Sequence, residues 1–87
     1  MLLTEIHTQI APECELIGLN ANPNLTDVFL DSRRVKENSL FSALEGAAVD
    51  GHNFINIAQE NGATALLGSN RSALQNSGLP ALFHPSP

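Results

Sequence analysis

Between Ser39 and Leu67 the apolar period of the chain changes twice, and this constrains the fold more than any other feature. Ser39 to Leu44 (SLFSAL) is a short, mostly apolar run in which Leu40, Ala43 and Leu44 alternate imperfectly. Asn53 to Asn61 then places Phe54, Ile57 and Ala58 at i, i+3 and i+4, the spacing of one helix face. Ala63 to Leu67 (ATALL) returns to a short apolar run. The boundaries carry matching chemistry: Asp50-Gly51-His52 offers a turn with Asp50 as a capping candidate, and Gly62 suits a left-handed position after a helix. Strand, helix and strand within about 30 residues form a βαβ unit, which requires parallel strands and a right-handed crossover.

The flanking segments build on that unit. Leu2, Leu3, Ile6 and Ile10 follow amphipathic helical spacing that Pro12 limits. Ile17 to Leu25 holds Gly18, Asn20, Asn22, Pro23 and Asn24 and reads as a turn-rich connector. Thr26 to Leu30 (TDVFL) reads as a strand and Asp31 to Asn38 as a polar turn. A second helix is expected over Arg71 to Asn76, and a last short strand over Pro80 to Phe83. Pro85-Ser86-Pro87 has linker composition. The expected fold class is α/β, a single small domain over residues 1–87 with a mixed sheet flanked by helices. A hydrophobic content of 43% against 15% charged residues supports a folded core rather than disorder.

The same composition removes several functions. A net charge of −5 with four basic residues disfavours nucleic-acid binding, and there is no Trp or Tyr to stack on bases. No apolar run approaches the ~20 residues of a membrane span, and Glu5 stands where a signal peptide carries positive charge; a cytoplasmic monomer with no membrane partner is expected. Cys14, the single cysteine, lies between Glu13 and Glu15, which disfavour its thiolate, so it reads as a half-buried small side chain. His7, Cys14, His52 and His84 are too scattered for the short ligand spacing of zinc sites, and no metal site is expected. Glu45 and Asp50 read as loop charges rather than an acid–base pair.

Two places retain binding chemistry. Gly46 to Asn53 has the glycine spacing of a phosphate loop, but His52 and Asn53 stand where Lys and Ser or Thr are needed, and Asp50 would repel a triphosphate. The small side chains of Ala47 and Ala48 would instead let a flat polar ring such as a nucleobase reach the backbone, if the segment is more than an ordinary surface connection. At the other place, Ser32 is expected to expose its hydroxyl beside Arg33, Arg34 and Lys36, suiting a ribose or diphosphate. The alternative there is an Asx-type turn in which Asp31 accepts backbone N–H bonds and Arg33 pairs with Asp31 or Asp27. No catalytic residue is evident; Ser32 has no histidine in an interpretable relation to it.

The segments Asp31-Ser32-Arg33-x-Val35, Leu40-Phe41-x-Ala43-Leu44-x-Gly46, Asp50-Gly51-His52-x-Phe54-Ile55 and Gly62-Ala63-x-Ala65 together resemble the N-terminal domain of the Mur ligases. The branch it looks like adds diaminopimelate or lysine to UDP-N-acetylmuramoyl-L-alanyl-D-glutamate; the related D-Ala-D-Ala-adding branch is the alternative. The resemblance implies a domain that holds the UDP part of that substrate. Leu30 and Ser32 fall where the family contacts the uridine nucleotide, and Ala47, Ala48 and Val49 on its uracil-side loop. Asp31 and Arg33 are expected to support that turn. ATP and Mg²⁺ would serve the family's GTNGKT-type loop and later domains, which this sequence does not contain, so the chain alone is expected to be inactive. Asn38 stands where the family often has Gly, and Asn tolerates the same left-handed backbone. From a different class, a non-catalytic protein-interaction module would use the βαβ surface to dock a partner.

Overall fold

A computed structural model describes residues 1–18, 21–29, 31–43 and 54–85. The expected βαβ unit is present: β3 (Ser39–Ala43) and β4 (Ala63–Gly68) pair in parallel and are joined through α2 (Ile55–Glu60). Around it stand α1 (Leu3–Gln9), β1 (Glu15–Ile17), β2 (Asp27–Phe29), a 3₁₀ turn at Ser32–Arg34, α3 (Arg71–Asn76) and β5 (Ala81–Phe83). The sheet order is β1-β5-β4-β3-β2. Strands β2 to β5 run parallel to one another and β1 lies antiparallel on β5, a mixed sheet as expected.

All five residues of β3 are buried, because the strand is covered on both faces. On one face, Phe41 and Ala43 pack with Ile55 and Ala58 of α2, Leu74 of α3, and Val35 from the turn. On the other, Leu40 joins Ala65 and Leu82 beneath Leu3 of α1. A bulge reconciles β4 with this division. Ser39 pairs with Ala63 but Leu40 pairs with Ala65, so Thr64 is the extra residue. Ala63 and Leu66 therefore share the α2 face, while Ala65 and Leu67 share the α1 face. The irregularity leaves the Thr64 hydroxyl oxygen buried without a hydrogen-bond partner among the described residues.

Three sequence expectations change. Ile57 is 40% exposed, and Ile55 takes the buried place beside Ala58. Phe54 precedes α2 as its N-cap and so drops out of the helical stripe, whose buried residues are Ile55 and Ala58. Asp50, the expected cap, lies outside the described residues. Strand β1 arises within a segment that gave no strand signal, stabilised by pairing with β5. Cys14 is buried rather than half-buried, and desolvation followed by the Glu13 charge pushes its thiol up.

Local devices hold the connectors. Glu5 accepts the Leu2 N–H at 2.8 Å, half of a reciprocal cap on α1. The Asn22 side chain bonds the Thr4 N–H at 3.2 Å and the Thr4 hydroxyl at 2.9 Å, tying the connector to that same turn. Asn38 adopts φ +60°, the left-handed conformation anticipated for it. The buried Ser39 hydroxyl is satisfied by the Lys36 carbonyl at 2.5 Å. Asn70 caps α3 by accepting the Ala73 N–H at 3.1 Å.

Candidate functional site

In open α/β sheets, ligands bind outside the carboxyl ends of the parallel strands. Here those ends lie at one edge and are marked by Phe29, Ala43, Gly68 and Phe83. Strands β2 and β3 are neighbours with Phe29 beside Phe41, so the chain leaves both strands close together at that edge. Ser32, Asp31 and Arg33 follow β2. Leu30, Ala47, Ala48 and Val49 lie outside the described residues.

The turn after β2 is well defined. Asp31 is the N-cap of Ser32–Arg34; its Oδ1 accepts the Arg33 N–H at 3.0 Å, and its carbonyl accepts the Arg34 N–H at 3.0 Å. The Arg33 guanidinium returns to the same carboxylate, donating from Nε at 3.1 Å and from an Nη at 3.0 Å. The Asx-type turn is therefore formed, and Arg33 pairs with Asp31, not Asp27. The hydrogen bond from the Arg33 side chain, followed by that from its backbone, holds the Asp31 carboxyl below the ordinary range. Since the Arg33 side chain is 83% exposed, this pair shapes the turn more than it stabilises the fold.

Ser32 corrects an expectation. It is 5% exposed, because the turn folds back against α2 and Asn61 Nδ2 donates to the Ser32 carbonyl at 2.9 Å. Among the described residues its hydroxyl makes no hydrogen bond. Arg34 and Lys36 remain exposed on the outer side of the same turn.

A second cluster stands at the same edge, and sequence reasoning missed it. Arg71 donates to both oxygens of Glu15 and lies 4.5 Å over the Phe83 ring. The Arg71 side-chain hydrogen bond, opposed by partial desolvation, leaves the Glu15 carboxyl below its usual range. The cluster joins α3 to β1 and β5, and no local pattern announces a contact spanning 56 residues. Asn61 was missed for a similar reason, since it reaches back 29 residues to Ser32. Among the described residues no cluster of His, Cys, Asp or Glu could hold a metal ion, and no helix is long and apolar enough to cross a membrane.

A family model described as "Mur ligase family, catalytic domain" matches residues 24–83, which include β2 to β5 and the Ser32 turn. The chain belongs to the Mur ligase family. It is 41% identical over 61 residues to the UDP-N-acetylmuramoyl-L-alanyl-D-glutamate--2,6-diaminopimelate ligase of Fusobacterium nucleatum, an overlap covering 70% of this chain. It is 45% identical over 67 residues, 77% of this chain, to the ligase of the same name from Bacteroides fragilis. The matched part is 13% of the length of each relative. Among solved structures, MurF from Acinetobacter baumannii superposes over 95% of this chain and 17% of its own, with a TM-score of 0.77 at 19% identity. That likeness supports the α/β fold.

Proposed function

We propose that this Mur ligase family chain is an N-terminal domain that binds the UDP part of UDP-N-acetylmuramoyl-L-alanyl-D-glutamate. The ligase it serves would join diaminopimelate or lysine to that substrate, and the names of the curated relatives favour diaminopimelate. ATP and Mg²⁺ would act on residues other than these 87, as would the amide-forming chemistry. The contribution of this domain is anchorage: binding energy at a remote nucleotide helps hold the reacting carboxylate in place.

The observation that carries the reading is the Ser32 turn. It stands at the carboxyl edge of β2, next to β3, with its peptide groups fixed and its hydroxyl without a hydrogen bond among the described residues. Ser32 is 5% exposed, so its share of the proposed contact is limited to the small part of its surface left open at the turn. Leu30, Ala47, Ala48 and Val49 complete the proposed contact, with Asp31 and Arg33 supporting it. The D-Ala-D-Ala-adding branch is less well supported, because the two relatives described above carry the diaminopimelate name.

Calorimetric titration of the chain with UDP tests this. Ala48→Asp should abolish binding by placing a carboxylate against the nucleotide while leaving the fold intact. Unchanged affinity in that variant would remove the 47–49 segment from the site.

A further inference from the structure

The peptide unit that follows Ser32 is held from both sides, and only one holder is local. The Ser32 carbonyl accepts from Asn61 Nδ2 at 2.9 Å, and the Arg33 N–H donates to Asp31 Oδ1 at 3.0 Å. Carbonyl and N–H belong to one planar amide, so fixing both fixes its orientation and the torsions on either side. The Ser32 side chain is thereby set relative to the strand edge.

The adjoining residue reinforces this tie. The Gly62 carbonyl accepts the Asn38 N–H at 3.2 Å, holding the far end of the same connection. Gly62 has φ +111°, and a Cβ there would lie 2.7 Å from Glu37 Cα and 2.9 Å from Glu37 N. Val35, buried between the two attachments, anchors the middle in the core shared with α2. Consecutive residues at the α2–β4 junction thus grip both ends of the connection bearing Ser32.

We infer that Asn61 is a positioning residue for the ligand site: it places Ser32 without itself meeting the ligand. This rests on the reading that the Ser32 turn meets a nucleotide, and the two can fail separately. The test titrates the full 87-residue chain with UDP as the unaltered protein, Ser32→Ala and Asn61→Ala, with amide NMR spectra and thermal midpoints of each free protein. Asn61→Ala should move the Ser32 and Arg33 amide resonances in the free protein and weaken UDP binding about five- to tenfold, the scale of one hydrogen bond. Its thermal midpoint should fall only by the amount one hydrogen bond accounts for, about 4–8 °C. Ser32→Ala should weaken binding while the Asn61 side-chain amide resonance persists, since the carbonyl it meets is retained.

Unmoved Ser32 and Arg33 resonances in Asn61→Ala would overturn the positioning role. So would full UDP affinity in Asn61→Ala, or a loss matched by general destabilisation; each leaves the nucleotide reading standing if Ser32→Ala still weakens binding. No binding by the unaltered chain, or undiminished binding by Ser32→Ala, would instead defeat the nucleotide reading and the inference with it.

Discussion

The two faces of the sheet are covered to very different degrees. On one, α2, α3 and the Ser32 turn close over Phe41, Leu66 and Ala81, leaving those side chains almost entirely buried. On the other, α1 covers Leu40 and Leu82 with Leu3 but leaves a groove of about 340 Å³ lined by Ile6, Ile10, Val28 and Leu67 among others. Ile10 and Val28 remain 66% and 54% exposed beside it. The difference teaches which face backs the connection bearing Ser32: it is the closed one, through α2 and its junction to β4. A binding turn needs a rigid backing, and α2 with its junction to β4 supplies it.

The contrast can be broken first at its strongest point. Phe41→Ala, on the closed face, should cost about 3–5 kcal/mol in chemical denaturation, since neighbours packed on every side cannot collapse into the space. Leu3→Ala, on the inward side of α1, should cost less, about 2–4 kcal/mol, because the adjoining groove gives that face room to relax. Equal losses would mean that the faces are equally well packed. Gly62→Ala comes next, at about 1–3 kcal/mol, combining a left-handed backbone with a close approach to Glu37. It should also shift the Asn38 amide resonance. Ile10→Ser, at the groove, should change stability by no more than ~0.5 kcal/mol.

The smallest expected effect concerns pH. The Asp31 and Glu15 carboxyls are both held below their ordinary values by arginine hydrogen bonds. A carboxyl depressed in the folded state stabilises the fold above its unfolded value, and that contribution is lost as pH falls through the folded value. Stability should therefore decline modestly below about pH 4, and Asp31→Asn with Glu15→Gln should flatten that acid limb in denaturant titrations. Both groups are exposed, so screening keeps the change small.

What the sequence disclosed follows the range of the interactions. The β3–α2–β4 unit was legible because its signals, a change of apolar period and a glycine at the junction, are local. The Asp31–Arg33 turn was legible because the partners are two residues apart. Strand β1 was not, since Glu15–Ile17 becomes a strand only by meeting Ala81–Phe83. The burial of Ser32 was equally hidden: a polar residue between Asp and Arg reads as exposed until α2 is folded against it. The stripe of α2 shows the other limit, because Phe54 lies outside the helix and Ile55, not Ile57, joins Ala58 in the core.

The most direct measurement is an amide NMR titration of the isotopically labelled chain with UDP. The account predicts saturable shifts concentrated at Ser32 to Arg34 and at Ala47 to Val49, with Ile10, Val28 and Leu67 on the open face unmoved. Shifts confined to that open face, or none at all at saturating nucleotide, would contradict it.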